Sequence, residues 1–329
     1  MLTSRSSNMQ SSEVYVRTVI GKDLASVVGD LMDKVGWQEL VPSGGFVALK
    51  PNFCEYRSDR IENANTSFSF IESVCRVLSS RAGRIAIVES DGLRYQVEEV
   101  YSAMGMERLT SRYGVQLVNL TRDRWVTFPE PLLEGFGLPA ILGECDCFIS
   151  LPKLKTHALT YFTGALKNQW GCILRPDRIL LHKHINALIP RINRLLNPRL
   201  AIMDGLIAME GRGPTNGIRR ELSLLLASRD LVALDATAMR AVGLQPDSAR
   251  HVVEAARIGV GNIRGEKIQV DCSGVPPIAP FIPAKKEWTL ELMNYLTRYR
   301  PFVYHVLLDD HLFNMAKGFT TFLRKWRLS

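Results

Sequence analysis

Apolar positions recur along the chain with two periods, and their alternation is the first guide to architecture. Leu24, Val27, Val28, Leu31, Met32 and Val35 fall at helical spacing within residues 23–39. The turn Pro42-Ser43-Gly44-Gly45 leads into a short apolar run, residues 46–50, that stops at Pro51-Asn52 and reads as a buried strand. The spacing predicts a helix over 66–81 with Thr66 or Ser67 as N-cap and Phe70, Ile71, Val74, Val77 and Leu78 inward. A strand over 84–88 ends at Glu89-Ser90-Asp91-Gly92, a helix over 96–113 follows, and 115–120 is a third strand. Further strands are expected at 147–151, stopped by Pro152, at 200–203, closed by Asp204-Gly205, at 222–227 and at 268–270. Helices are expected from Asp230 to about Val242 and over 249–258.

Strands alternating with helices of these lengths imply an α/β fold with a mostly parallel sheet built from βαβ units. Functional groups in such sheets gather at the carboxyl ends of strands, where Asn52, Glu89 and Asp91 lie. Residues 1–12 are polar and expected to be disordered, and 13–275 form the α/β domain, in one lobe or two. Pro276, Pro277, Pro280 and Pro283 mark a linker to a helical tail within 276–329. In that tail Leu308, Leu312, Met315, Phe319, Phe322, Leu323 and Trp326 recur at helical spacing beside Lys317, Arg324, Lys325 and Arg327. Packing on the domain or a homodimer partner is favoured over a membrane surface, because Asp309 and Asp310 interrupt the basic face.

The chain has 329 residues and a net charge of +8, half of it in the last 47 residues, so the basic balance is partly a property of the tail. The remainder suits an anionic small molecule at least as well as nucleic acid. Cys54, Cys75, Cys145, Cys147, Cys172 and Cys272 include no C-x-x-C pair, so neither a structural zinc site nor a ferredoxin-type iron–sulfur cluster is expected. Reduced thiols, an N-terminus without an apolar signal region, and the absence of a long apolar run point to a cytoplasmic protein.

Five stretches carry candidate chemistry. In Leu151-Pro152-Lys153-Leu154-Lys155-Thr156-His157, an extended backbone puts Lys153, Lys155 and His157 on one face, fit to bind a carboxylate or phosphate; a solvated basic loop is the plainer reading. Thr163 to Gly171 sets Lys167 and Asn168 between glycines, either as ligand donors or as a packed helix end. His182-Lys183-His184 has metal-ligand spacing, which is also common by accident. Residues 202–217 deliver Asp204 to a strand end and Glu210 to a loop with Gly211, Gly213 and Gly217, whose N–H groups suit an anion. The alternative there is a wide turn needing glycine. Asp230 is an expected N-cap, and Asp235 among apolar residues is expected to make a structural hydrogen bond.

With VALKPNF at 47–53, ISLPKLKTHALTYFTGALKNQWG at 149–171, Arg178 with His182, IMDGLIAMEGRGPTNG at 202–217 and SRDLVALDATAMRAVG at 228–243, the chain resembles the DUF362 family over roughly residues 45–270. Some members of that family add ferredoxin-like cysteine clusters, which this chain lacks. The resemblance implies motif positions at Lys50, Asn52, Lys153, Lys155, His157, Lys167, Asn168, His182, Asp204, Glu210 and Gly213, with His184 outside the pattern. At fold level the chain is also similar to the nickel-pincer lactate racemase group, which places Lys and His around a strand-end cleft.

The leading expectation is an enzyme acting on an anionic small molecule by lyase- or isomerase-type acid–base chemistry. His157, Glu210 and Lys155 would be catalytic. Lys50, Asn52, Lys153, Lys167, Asn168, Gly211 and Gly213 would bind substrate, and His182 with Asp204 would hold a divalent metal. One alternative is a redox or metal-carrying protein using His157, His182, His184 and a cysteine. Another is a non-catalytic anion or nucleic-acid binder, disfavoured by the lack of aromatics interleaved with the basic motif.

Overall fold

The computed structural model describes residues 11–93, 95–285, 288–309 and 312; the helical tail expected beyond Leu312 lies outside them. A ten-stranded sheet organises the chain. Its strands are β1 (Ser12–Thr18), β2 (Phe46–Pro51), β3 (Arg84–Glu89), β4 (Gln116–Asn119), β5 (Cys147–Leu151), β6 (Lys153–His157), β7 (Tyr161–Phe162), β8 (Leu200–Glu210), β9 (Ile218–Ser228) and β10 (Ile268–Ser273). They lie in the order β10-β1-β9-β8-β5-β2-β3-β4, with β6 beside β8 and β7 beside β6. The half from β8 to β4 is parallel, as the strand–helix alternation implies. The β8–β9 hairpin and the β1–β9 pair are antiparallel.

Alternate residues of the central strands face opposite cores, the period-two rule of a sheet covered on both sides. Val47 and Leu49 join Ile202, Leu225 and Ala227 under the helices Leu24–Lys34, Phe68–Leu78 and Val97–Met104. Met203, Leu224 and Leu226 face the other way, toward Ile185–Leu196, Leu231–Ala241 and Arg250–Arg257. Asp230 caps its helix by accepting the N–H groups of Val232 and Ala233. Asp235 accepts those of Ala165 and Leu166, so its hydrogen bonds are structural.

Several expectations are corrected. The helix of 96–113 is two helices, Val97–Met104 and Glu107–Tyr113, parted at Gly105, whose φ of +64° ends the first. Ser12, assigned to a disordered segment, opens β1, because the alternation in residues 12–18 pairs with both β9 and β10. The strand at 200–203 does not stop at Asp204-Gly205: a bulge between Gly205 and Ile207 lets it run on to Glu210. Ile185–Leu196 escapes the sequence reading, since Pro190 sits inside it.

All six cysteines are free. Among the described residues no helix is long and apolar enough to cross a membrane.

Leu225 is fully buried in the central hairpin. Leu225→Ala is expected to lower unfolding free energy by about 2–5 kcal/mol in urea titrations; a loss well under 1 kcal/mol would contradict this packing.

Candidate functional site

The motif stretches meet at the carboxyl ends of β2, β3 and β5. Pro51 pairs with Leu151, so both strands finish together, each against a proline that cannot extend the ladder. Asn168 stitches the two ends. Its Nδ2 donates to Lys50 O at 2.8 Å and Ser150 Oγ at 3.0 Å, and its Oδ1 accepts from Asn52 Nδ2 at 3.2 Å. Both of its amide hydrogens are therefore spent on the scaffold. Lys50, 1% exposed, ion-pairs with Glu89 and donates to Pro51 O. Gly171 closes over this pair, since a Cβ there would lie 2.6 Å from Glu89 Oε1.

Pro152 is the next hinge. Beyond it the chain leaves β5's register and follows β8 as β6, with Asp204 N–H donating to Pro152 O at 2.8 Å. Lys153 Nζ then meets Asp204 Oδ2 at 2.9 Å, both side chains wholly buried. Burial holds the Lys153 ammonium below its usual range, against the pull of Asp204. The same oxygen accepts Ser67 N–H and Oγ–H, and Oδ1 accepts Leu206 N–H. The expected metal pair of His182 and Asp204 is thus not met: Asp204 is saturated by donors. No group of three His, Cys, Asp or Glu is placed to hold a metal ion among the described residues.

Lys155 differs from these paired lysines. It is 1% exposed and donates to Ala64 O at 2.6 Å and Cys54 Sγ at 3.1 Å, with no carboxylate partner among the described residues. Lys167, at the end of the short helix Gly164–Asn168, is half-buried and makes no hydrogen bond among them. Burial, then the neighbouring Lys155 charge, pushes its pKa down to about 7. Arg178 also bears on Lys167, and its guanidinium donates to the carbonyls of Asp91 and Ile173.

Three imidazoles complete this group. His157 Nδ1 accepts Leu159 N–H at 3.0 Å, which assigns its proton to Nε2. Burial, followed by Lys167 and Lys155, holds its pKa well below the usual value. His182 stacks against Trp170 with ring centroids 5.7 Å apart, and its buried Nδ1 has no partner. Burial and then Lys167 push it down to about 3. His251, fully buried with neither nitrogen bonded, is pushed to about 3 by burial and then by Lys167. A cavity of about 230 Å³ opens here, lined by His157, His182, Arg212, Asn216, Lys285 and Asn294.

Other expected residues are taken up by the scaffold, although Gly213 also lines the cavity. Glu210 pairs with Arg220 at 2.6 Å and accepts Ile282 N–H, so its carboxylate fixes the β8–β9 hairpin and the segment crossing it. The N–H groups of Gly211 and Gly213, expected to face an anion, donate to Ile282 O and Gly211 O. Gly213 is needed for close packing, because a Cβ would fall 2.0 Å from Thr156 O. Lys50 and Lys153, expected to bind substrate, are spent in ion pairs. The sequence reading missed His251; its signal is a lone imidazole on the apolar face of Arg250–Arg257, beside Val252 and Ala255.

A family model described as Domain of unknown function (DUF362) matches residues 47–240. A thylakoid-associated protein of Synechocystis sp. is 33% identical over 255 residues, covering 75% of this chain and 78% of the relative. The lactate racemase apoprotein from Thermoanaerobacterium thermosaccharolyticum aligns with a TM-score of 0.39 at 10% identity, covering 77% of this chain and 57% of that one. The chain therefore spans little more than half of that protein's length, and the likeness is too distant to bear on activity.

Two outcomes follow from these environments. Lys153→Met strands Asp204 in the interior and is expected to cost about 3–5 kcal/mol. A cycle completed with Asp204→Asn should show coupling of roughly 1 kcal/mol or more in urea melts; strict additivity would deny the pair. The imidazoles are neutral when folded but titrate near 6.5 when unfolded. Below that pH the unfolded chain binds more protons, so their stabilisation is complete above about pH 6.5 and is lost on acidification. His182→Asn and His251→Asn should each flatten the fall of the urea midpoint between about pH 6.5 and 5, by up to one proton each.

Proposed function

This chain belongs to the DUF362 family, and from that premise we propose that it is an enzyme that binds a small carboxylate- or phosphate-bearing molecule and moves a proton on it. The observation that carries this reading is charge without an answer. Lys155 and Arg178 both bear on Lys167, whose charge in turn bears on His157 and His182 in the cavity wall, and no carboxylate pairs with these three cations among the described residues. Buried like charges destabilise a fold unless something anionic offsets them. An anionic substrate does so, and draws its binding energy from that relief.

The proton chemistry falls to Lys167 and His157. An amine whose pKa is near 7 is half free at neutral pH, the range in which a general base is most effective. His157 takes a different part from the acid–base exchange expected of it. Held neutral with its proton on Nε2, it is a hydrogen-bond donor to oxygen on which negative charge develops. Glu210 takes no part, because Arg220 holds it. The six free thiols support work in a reducing cytoplasm.

A panel of small carboxylates and phosphates is the test. At least one is expected to raise the melting temperature in a dose-dependent way, less so in Lys167→Met and less so as pH rises through about 7 and Lys167 loses its charge. For that compound, proton exchange in D2O should rise with pH through about 7, and Lys167→Met should slow it by about 10²-fold or more. Stabilisation with no exchange would make the chain a non-catalytic anion binder; equal behaviour of Lys167→Met would remove the reading.

A further inference from the structure

The helix Trp288–Leu296 leaves a face uncovered next to the site. Met293 packs on the main core and Asn294 lines the His157 cavity, whereas Leu292 and Tyr295 are 44% and 51% exposed. Tyr299 continues that stripe at 52%, and Tyr304, Leu308 and Leu312 extend it. The segment is firmly seated: Val303 and Leu307 are buried, and the Tyr304 hydroxyl bonds to Asp177. Its apolar face is therefore held outward by packing on the opposite side.

The chemistry of the stripe favours one occupant. Arg298 lies over the Tyr295 ring at 5.5 Å, and Arg298 and Arg300 are exposed beside the tyrosines. Tyrosine with arginine suits the boundary between headgroups and acyl chains, where a ring is half wet. The seventeen residues after Leu312 contain Lys317, Arg324, Lys325 and Arg327, no Asp or Glu, and Phe319, Phe322 and Trp326 among their apolar residues. Glu291 and Asp309 balance Arg298 and Arg300 along the stripe itself, so the region's net positive charge, and its attraction to an anionic surface, comes from the basic sequence after Leu312, which outweighs the interruption at Asp309 and Asp310.

We propose that this C-terminal surface docks on an anionic lipid membrane and places the mouth of the His157 cavity at headgroup level. The inference is independent of the reaction assigned above. Full-length protein is floated with vesicles of phosphatidylcholine alone or with about 30% phosphatidylglycerol. Binding to the anionic vesicles should be at least tenfold stronger and should weaken with salt. The triple variant Leu292→Ser, Tyr295→Ser, Tyr299→Ser alters only exposed side chains, so it should keep the wild-type melting curve while losing about tenfold or more of that binding. Removal of the residues after Leu312 should weaken it further. No vesicle binding, or a triple variant that binds as wild type, overturns the proposal. So does a dimer by light scattering that the variant converts to monomer without any lipid effect.

Discussion

Lys50, Lys153 and Lys155 are among the largest wholly buried side chains in this protein, and the architecture of the site is governed by how their charge is answered. An ammonium group removed from water must find an anion, a set of acceptors, or a lowered pKa. Lys50 has Glu89 and Lys153 has Asp204. Lys155 has only a carbonyl and a thiol, and it faces Lys167, which has neither among the described residues. This difference sorts four similar-looking lysines into two answered by a buried carboxylate and two with no carboxylate partner among the described residues.

The sheet makes the sorting possible. At Pro152 the strand path shifts from β5 to β6, so Lys153 and Lys155, two residues apart, meet different neighbours. Lys153 drops onto Asp204 at the β8 bulge, while Lys155 reaches the segment after β2, at Cys54 and Ala64. Both lysines pair with β8, but the register jumps from Asp204 opposite Lys153 to Met209 opposite Lys155. The bulge after Gly205 and the proline are therefore part of the site, although neither supplies a functional group.

The imidazoles show how surroundings set role. His157, His182 and His251 are all held neutral, first by burial and then by Lys167. The backbone N–H of Leu159 fixes which nitrogen of His157 carries the proton. That bond turns a residue with two possible roles into a donor. The lysine that adds to this effect is itself depressed by burial and then by Lys155, so one buried environment acts on all of them.

The sequence by itself determined the strands and helices of the parallel half, the N-cap at Asp230, the family, and the stretches that meet at the strand ends. These rest on local periodicity, prolines and short motifs, which the chain displays in order. It misjudged the continuous helix over 96–113 and the end of β8, because a left-handed glycine and a bulge leave no periodic trace. Only the tertiary structure decided that Asp204, Glu210 and Asn168 are tied into the scaffold, that His251 belongs with His157 and His182, and that Lys155 and Lys167 have no anionic partner among the described residues. Partnering is a property of what packs opposite a side chain, often more than fifty residues away, and no local pattern records it.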